Sequence, residues 1–172
     1  MAEITLTGFD AYVRKIESLK ADSTKICKAT VFPGAGILAD KVREELDALQ
    51  TISDAEALGN WQAGQVQPHL SVTQKAGLQE SLGVSPIRRE PNGKIQTSVG
   101  FPGYNSVKTK HFPNGQPNPE VARSLEKGTS YLQRDPFMSR AVKAAREEAQ
   151  AAMAAECDRQ IARVMGEPVE TD

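Results

Sequence analysis

The sequence has little cysteine and little net charge, and it lacks a long apolar run. Cys27 and Cys157 are far apart and lack the clustered spacing of a zinc site or a disulfide scaffold, which favours a reducing, intracellular folding environment. A net charge of −1, from 21 Lys and Arg against 22 Asp and Glu, indicates neither a generally basic nucleic-acid binder nor an acidic disordered tail. No segment reaches the ~18 to 20 apolar residues that span a bilayer, and the N-terminal stretch lacks the apolar core of a signal peptide. We therefore expect a soluble protein that is not secreted by a signal peptide and has no membrane partner.

Residues that carry catalysis are also scarce. His69 and His111 are the two histidines, and neither has metal-ligand spacing to another His, Cys or Asp. Cys157 falls on an apolar helix face, which favours a buried, inert thiol. Glu126 is the carboxylate worth testing for catalysis, and its alternative role is that of a turn acid that accepts local backbone N–H groups. We expect no enzymatic activity, no catalytic or metal-binding residues and no cofactor.

At 172 residues and 39% hydrophobic composition, the chain has the size of one domain, spanning 1–172. Ile4 to Thr7 alternate between apolar and polar residues and predict a short edge strand. Apolar residues then recur at helical spacing up to Leu49, which predicts a long N-terminal helical arm with a kink or a brief break at Pro33. Gly34, Ala35 and Gly36 follow the proline, and their small size would let another backbone pack close.

A phosphate-cradling loop is the motif alternative for this glycine-rich stretch. Such a loop ends in Lys followed by Ser or Thr, whereas Ile37 and Leu38 stand there in this sequence. The sequence therefore favours close packing over phosphate binding at this point.

The middle of the chain alternates between polar segments and short regular elements. Residues 51–68 are polar and predict a mobile connection or a variable insertion. Thr73–Leu82 predict a helix capped by Ser71 or Thr73. Val84–Glu90 and Lys94–Gly100 alternate on either side of "PNG", which predicts an antiparallel hairpin whose second strand directs Val99 and Phe101 to the core. Residues 102–119 hold four prolines and predict a long loop.

Basic residues concentrate on this hairpin and loop. The candidate contacts to a protein partner or to DNA are Arg88, Arg89, Lys94, Lys108 and Lys110. Only Glu90 opposes them locally. The alternative is an ordinary solvated surface, and the functional interpretation is contact with an acidic partner or with passing DNA.

The stretch "SLEKGTSYLQRDPFMSRAV", residues 124–142, combines a sharp corner with a helix start. Gly128 can adopt a positive φ, which predicts the corner. Asp135 is suited to cap a helix and Pro136 to occupy its first position, so we expect a helix from Pro136 to about Met165. Residues 166–172 should form a frayed tail. The predicted apolar face of the helix, which is either core or partner interface, comprises Met138, Val142, Ala145, Ala149, Met153, Cys157 and Ile161.

These elements predict an α+β fold, in which a small antiparallel β-sheet, made of the hairpin plus edge strands, packs with a long kinked N-terminal helical arm and a long C-terminal helix. Their order, over nearly the whole chain except 51–68, resembles the tail-component family of tailed bacteriophages typified by phage Hong Kong 97, its gene-product-ten-like family. The family's corner motif falls on Glu126, Gly128, Thr129, Pro136, Phe137 and Ala141. The chain departs from the motif at Lys127, where many members carry an aromatic residue, and at Lys75 to Leu78, where many carry Thr-Gly-x-Leu.

The resemblance implies a non-enzymatic structural virion protein, assembled in the host cytoplasm and located in the neck at the head–tail interface. It implies a head–tail joining or tail completion component that acts as a subunit of a homo-oligomeric ring. The implied partners are further copies of the chain, a portal-side connector or head-closure protein, and the tail tube or tail terminator protein. DNA would pass through the bore without sequence-specific binding.

Two alternatives remain open. The first alternative, within the class of structural virion proteins, is a minor tail or head-closure component. The second, from a different class, is a nucleic-acid-binding module that uses the basic hairpin and loop.

Overall fold

The computed structural model describes residues 9–166, so the edge strand predicted at Ile4–Thr7 and the tail from residue 167 onward lie outside the described residues. The described part begins with helix α1 (Phe9–Ala48), which contains 40 residues and is therefore about 60 Å long. This helix is the predicted N-terminal arm.

Pro33 lies inside α1, which continues through it as one helix. The brief break considered at this position is therefore wrong, whereas a kink stays a prediction. A proline inside a helix costs about 3 kcal/mol, and here the burial of α1 on both sides of it, at Ile26 and Ala35, offsets that cost. The close approach expected next to the proline occurs at Gly34, where an added Cβ would lie 2.5 Å from the sulfur of Met153 and 3.6 Å from the Ala149 carbonyl oxygen, but not at Gly36, where it would meet no atom within 4 Å.

The partner of α1 is helix α5 (Phe137–Gly166), which runs antiparallel to it. Lys15 Nζ donates a hydrogen bond to the carbonyl oxygen of Met165 at 2.6 Å, near the start of α1 and the end of α5. At the opposite ends of the two helices, Arg140 Nε donates to Glu45 Oε2 at 2.7 Å. The two long helices therefore form an antiparallel helical hairpin.

The buried face of α5 differs in part from the predicted stripe. Phe137, Ala141 and Ala145 are buried, whereas Val142 is 41% exposed and Ile161 is 39% exposed. Of the two interpretations of the predicted face, core is therefore wrong for Val142 and Ile161, and a partner interface stays a prediction for them. On α5, the row that starts with Phe137, Ala141 and Ala145 and the neighbouring row that includes Val142 both carry apolar residues every three or four positions. Periodicity alone therefore does not decide which of the two rows faces α1. The small alanine row lets the helices approach closely and faces the core.

The polar connection predicted at 51–68 is instead a folded segment. After strand β1 (Thr51–Ile52), helix α2 (Asp54–Gln62) begins at Ser53, whose Oγ accepts the backbone N–H of Glu56 at 3.1 Å. A hydroxyl that satisfies a free N–H group in the first turn is enough to start a short helix in a polar sequence. Among the described residues of α2, none is buried.

Strand β2 (Leu70–Ser71) pairs in parallel with β1 and leads into helix α3 (Val72–Ser81). Ser71 Oγ accepts the N–H of Gln74 at 3.3 Å, and Gln74 Oε1 accepts the N–H of Ser71 at 3.0 Å. This reciprocal capping box confirms the predicted helix and identifies Ser71 as its cap.

The β-hairpin predicted around "PNG" is confirmed. Strand β3 (Gly83–Val84) pairs antiparallel with β6 (Val99–Gly100), and β4 (Arg88–Arg89) pairs antiparallel with β5 (Ile95–Gln96). Phe101 is only 5% exposed, and Val99 packs against the same core, as expected from the alternation of the second strand.

The long loop is confirmed for residues 102–117, whereas its last two predicted residues belong to helix α4 (Asn118–Lys127). Pro119 suits the first turn of α4, where its missing N–H has no helical partner. Asn118 Nδ2 donates to the carbonyl oxygen of Gly77 at 3.0 Å, and Asn105 Nδ2 donates to Asn118 Oδ1 at 3.3 Å. These buried amides fasten the loop to α3 and α4.

One hydrophobic core joins the end of α1 and the start of α5 to the smaller elements. The α+β class is confirmed, with small sheets packed beside two long helices. Within residues 9–166, no helix combines the length and apolarity needed to cross a membrane. The core cluster comprises Val42, Leu46, Leu49, Leu70, Leu78, Phe101, Val121, Ala122, Leu125, Leu132, Phe137 and Ala141.

Candidate functional site

The corner between α4 and α5 has the backbone geometry predicted for it. Gly128 ends α4 with φ +74°, and its N–H donates to the carbonyl oxygen of Ser124 at 2.9 Å. A Cβ at this position would lie 2.9 Å from the Cβ of Arg134. A positive φ and a close neighbour both favour glycine here.

Glu126, rather than Asp135, caps α5. One carboxylate oxygen of Glu126 accepts the N–H of Met138 at 2.9 Å, and the other accepts the N–H of Ser139 at 3.2 Å and the Ser139 hydroxyl. The prediction that Asp135 caps this helix is therefore wrong. The corner at Gly128 brings the end of α4 beside the first turn of α5, where free N–H groups and the helix dipole favour an anion.

Asp135 has a different role, which joins the corner to α1. Its Oδ1 accepts from Arg140 Nη1 at 2.6 Å, and the same guanidinium also binds Glu45 on α1. Hydrogen bonds to Asp135 and Glu45 raise the pKa of Arg140 above its ordinary value. The arginine therefore holds the start of α5 against the end of α1.

The remaining motif residues complete the corner. Thr129 Oγ1 accepts the N–H of Leu132 at 3.1 Å, and the Thr129 N–H donates to the carbonyl oxygen of Leu132 at 2.9 Å. Pro136 lies just before α5, and its carbonyl oxygen accepts the N–H of Arg140 at 3.1 Å. Phe137 and Ala141 are fully buried in the core. All six motif residues thus lie at one corner, where Glu126 joins α4 to α5, Phe137 and Ala141 pack in the core, and the other three shape the backbone between the helices.

Replacing Glu126 with glutamine should lower the free energy of unfolding by about 1 kcal/mol, because an amide keeps one acceptor oxygen but loses the charge and the second acceptor. Urea denaturation measures the difference. Glu147→Gln is the matched control, because Glu147 lies exposed in the middle of α5, away from the helix ends, and its side chain makes no hydrogen bond or ion pair within residues 9–166. Equal stability of the two variants would show that the Glu126 carboxylate does not stabilise α5.

The five basic candidates are all exposed, on two separate parts of the fold. No hydrogen bond or ion pair among residues 9–166 joins the hairpin to the loop, so the structure does not bring the two basic groups into contact. The loop contains a tight turn, in which Thr109 and Phe112 exchange backbone hydrogen bonds at 3.1 Å. Lys110 and His111 lie at the tip of this turn.

The other residues considered for chemistry remain separate. His69 is half-buried, His111 is exposed and Cys157 is half-buried. Within the part of the chain that the structure describes, no three His, Cys, Asp or Glu side chains come together in a way that could hold a metal ion.

An exposed surface around α2 is a feature that sequence reasoning did not identify. Four large apolar side chains here are each at least 45% exposed, and the rings of Trp61 and Tyr131 meet edge to face at 6.2 Å. The signal available in the sequence was the single tryptophan, Trp61, with Leu58 three residues before it in an otherwise polar segment. We call this group the α2 surface, and it comprises Leu58, Trp61, Val66 and Tyr131.

Polar contacts hold α2 in place. Asp54 Oδ2 accepts the Thr73 hydroxyl at 2.6 Å, and its other oxygen accepts the Thr73 N–H at 3.3 Å. Hydrogen bonding with Ser71 and Thr73 holds the pKa of Asp54 below its ordinary value. Gln67 extends this attachment to the corner, because its N–H donates to the Tyr131 carbonyl oxygen at 2.9 Å.

Comparison of the chain with family models, with curated proteins and with solved structures found no match.

Proposed function

We propose that the chain is a non-enzymatic structural subunit of a tailed-phage virion, a head–tail joining or tail completion component that forms a ring in the neck. The resemblance in element order and in the corner motif supports this proposal. The geometry of the corner is compatible with it, because the Glu126 carboxylate joins α4 to α5 and Phe137 and Ala141 pack in the core.

The α2 surface is the observation that carries the proposal. Trp61 is 59% exposed and Leu58 is 56% exposed, on a helix with no buried residue among those described. Tryptophan and tyrosine are enriched in protein interfaces, and clustered exposed apolar side chains mark interaction sites. A subunit of a ring needs such surfaces, since its binding energy comes from buried area and a few central residues.

The proposed partners follow from this role. They are further copies of the chain, a portal-side connector or head-closure protein, and the tail tube or tail terminator protein. The proposed location is the virion neck, around a bore through which DNA passes. A minor tail or head-closure component would use the same kind of surface, and the position in the particle distinguishes these roles.

Electron microscopy of a phage that lacks only this gene tests the proposal. We expect DNA-filled heads and free tails to accumulate separately. Complementation with Trp61→Ser combined with Tyr131→Ser should fail to restore joined particles, whereas Phe32→Ser should restore them, because Phe32 is 71% exposed but lies on α1, outside the α2 surface. Intact tailed particles in the absence of the gene would contradict the joining role.

A nucleic-acid-binding module is the second candidate. Its support is that Arg88, Arg89, Lys94, Lys108 and Lys110 are all exposed and make no ion pair with any residue in 9–166. Binding of the isolated protein to DNA that weakens with salt, and that is lost when all five residues are replaced by Glu, would favour this function. Salt-independent binding would argue against it.

A further inference from the structure

The register of the hairpin changes by one residue midway along it. Val84 pairs with Val99, and the Ser85 N–H donates to the Ser98 carbonyl oxygen at 2.8 Å. Arg88, however, pairs with Gln96. Two residues, 86 and 87, therefore lie opposite residue 97 alone, which is the arrangement of a β-bulge.

The bulge changes which side chains share a face. In a regular strand, residues 85 and 88 would point to opposite faces, because side chains alternate. The extra residue brings Arg88 to the face of Ser85. Its cross-strand partner Gln96 and the nearby Ser98 lie on that same face, since they are two residues apart in the second strand.

These side chains line a small polar pocket of about 210 Å³. Ser85 Oγ lies 3.0 Å from Ser98 Oγ and accepts the Ser98 N–H at 2.9 Å. Thr97 Oγ1 donates to the Ser85 carbonyl oxygen at 2.6 Å. Ser85 Oγ also lies 3.3 Å from Thr97 Oγ1, and when Ser85 donates to the nearer Ser98 Oγ, the Ser98 hydroxyl hydrogen is free to bond to a ligand. The pocket lining comprises Ser85, Pro86, Arg88, Gln96, Thr97 and Ser98.

Arg88 is the charged residue in this lining, and its guanidinium has no ion-pair partner among residues 9–166. The nearest acid along the strand, Glu90, forms no ion pair with Arg88, although it bonds to Gln96 of the pocket lining. One of its oxygens accepts from Gln96 Nε2 and the other accepts from Asn92 Nδ2 at 3.3 Å. Because these amides hold Glu90, the guanidinium keeps its donors free of an ion pair, and the same pocket lining contains the Ser98 hydroxyl.

We propose that this bulge pocket binds a phosphate group, with the Arg88 guanidinium and the Ser98 hydroxyl as donors. A planar guanidinium matches the oxygens of a phosphate with two parallel hydrogen bonds, and a serine hydroxyl supplies a third donor. The phosphate belongs either to a nucleic-acid strand or to a free phosphate compound. The site stands on the hairpin geometry and does not depend on the proposed virion role.

NMR titration of the ¹⁵N-labelled full chain tests the site with two probes, inorganic phosphate and a thymidine oligonucleotide. We expect both probes to shift the amide signals of Ser85, Thr97 and Ser98. Arg88→Gln should weaken binding about tenfold, the effect of losing one charge-assisted contact. If the oligonucleotide binds tighter than inorganic phosphate, the natural source is a nucleic-acid strand, and if not, it is a free phosphate compound.

Arg89→Gln is the matched control, because Arg89 is equally a strand residue and exposed but lies outside the pocket, opposite Ile95. It should change the affinity for inorganic phosphate less than twofold, which is roughly the effect of one screened surface charge. Ser98→Ala should weaken phosphate binding while the hairpin signals stay dispersed. Equal losses in Arg88→Gln and Arg89→Gln would show general charge attraction and overturn the site, as would the absence of phosphate-induced shifts in the bulge.

Discussion

Replacing Gly115 with alanine is expected to lower the free energy of unfolding by about 3 kcal/mol or more. Gly115 has φ +110°, a region that residues with a Cβ rarely adopt, and it is buried. A Cβ there would overlap the carbonyl oxygen of Asn105. Because that oxygen belongs to the backbone, no side-chain rotation can relieve the overlap.

The loop would have to release its anchors to make room. The Asn105 N–H donates to the Gln116 carbonyl oxygen at 2.9 Å, and the Asn105 side chain bonds to buried Asn118. Moving the backbone at Asn105 breaks both contacts and leaves polar groups buried without partners. The expected loss therefore exceeds that of backbone strain alone.

Gly103→Ala is the control for Gly115→Ala. Gly103 has φ +88° in the same loop, and a Cβ there meets no atom within 4 Å. It carries the strain without the overlap, so we expect a loss of about 1 kcal/mol. Urea denaturation of both variants measures the difference. Equal losses would show that the approach of Gly115 to Asn105 does not constrain the loop.

Replacing Phe137 with alanine is expected to lower the free energy of unfolding by about 3 to 5 kcal/mol. Phe137 is the first residue of α5 and is fully buried. Its ring lies 5.9 Å from the ring of Phe101, which follows the hairpin. Deleting it leaves a cavity where α5, the hairpin and the rest of the core meet.

Val142→Ala is the matched control for Phe137→Ala. It also removes an apolar side chain from α5, but Val142 is 41% exposed and lies on the rim of an open groove between α1, the hairpin and α5. Its loss should be below about 1 kcal/mol. Thermal denaturation with near-ultraviolet circular dichroism follows both variants. A Phe137→Ala protein with unchanged stability would show that the start of α5 is not part of the cooperative core.

The sequence correctly predicted the corner at Gly128 but chose the wrong cap for α5, and one physical reason explains both outcomes. Gly128 was predictable because positive φ is a property of one residue and its immediate neighbours. The choice between Asp135 and Glu126 as the cap of α5 depends on residues 12 positions apart, Glu126 and Met138, meeting in space. Both carboxylates are suitable by residue type, and only the turn of the chain decides between them.

The same division applies to the basic hairpin. The turn sequence "PNG" and the alternation around it predicted two antiparallel strands. The pairing of Arg88 with Gln96, which creates the bulge pocket, is a shift of one residue that residue alternation does not specify. The sequence therefore identified Arg88 as a basic surface residue, and the register placed it beside Ser85 and Ser98.

By itself, the sequence determined the elements whose energetics are local: the two long helices, the short helix α3, the β-hairpin and the glycine corner. Tertiary structure decided which apolar row of α5 faces α1, which acid caps α5, and that residues 51–68 fold onto α3. Local elements follow from backbone geometry and nearby hydrogen bonds, whose energies depend on a few adjacent residues. Packing partners follow from the summed burial and hydrogen bonding of distant segments, where several residues of suitable type compete and only the complete fold selects among them.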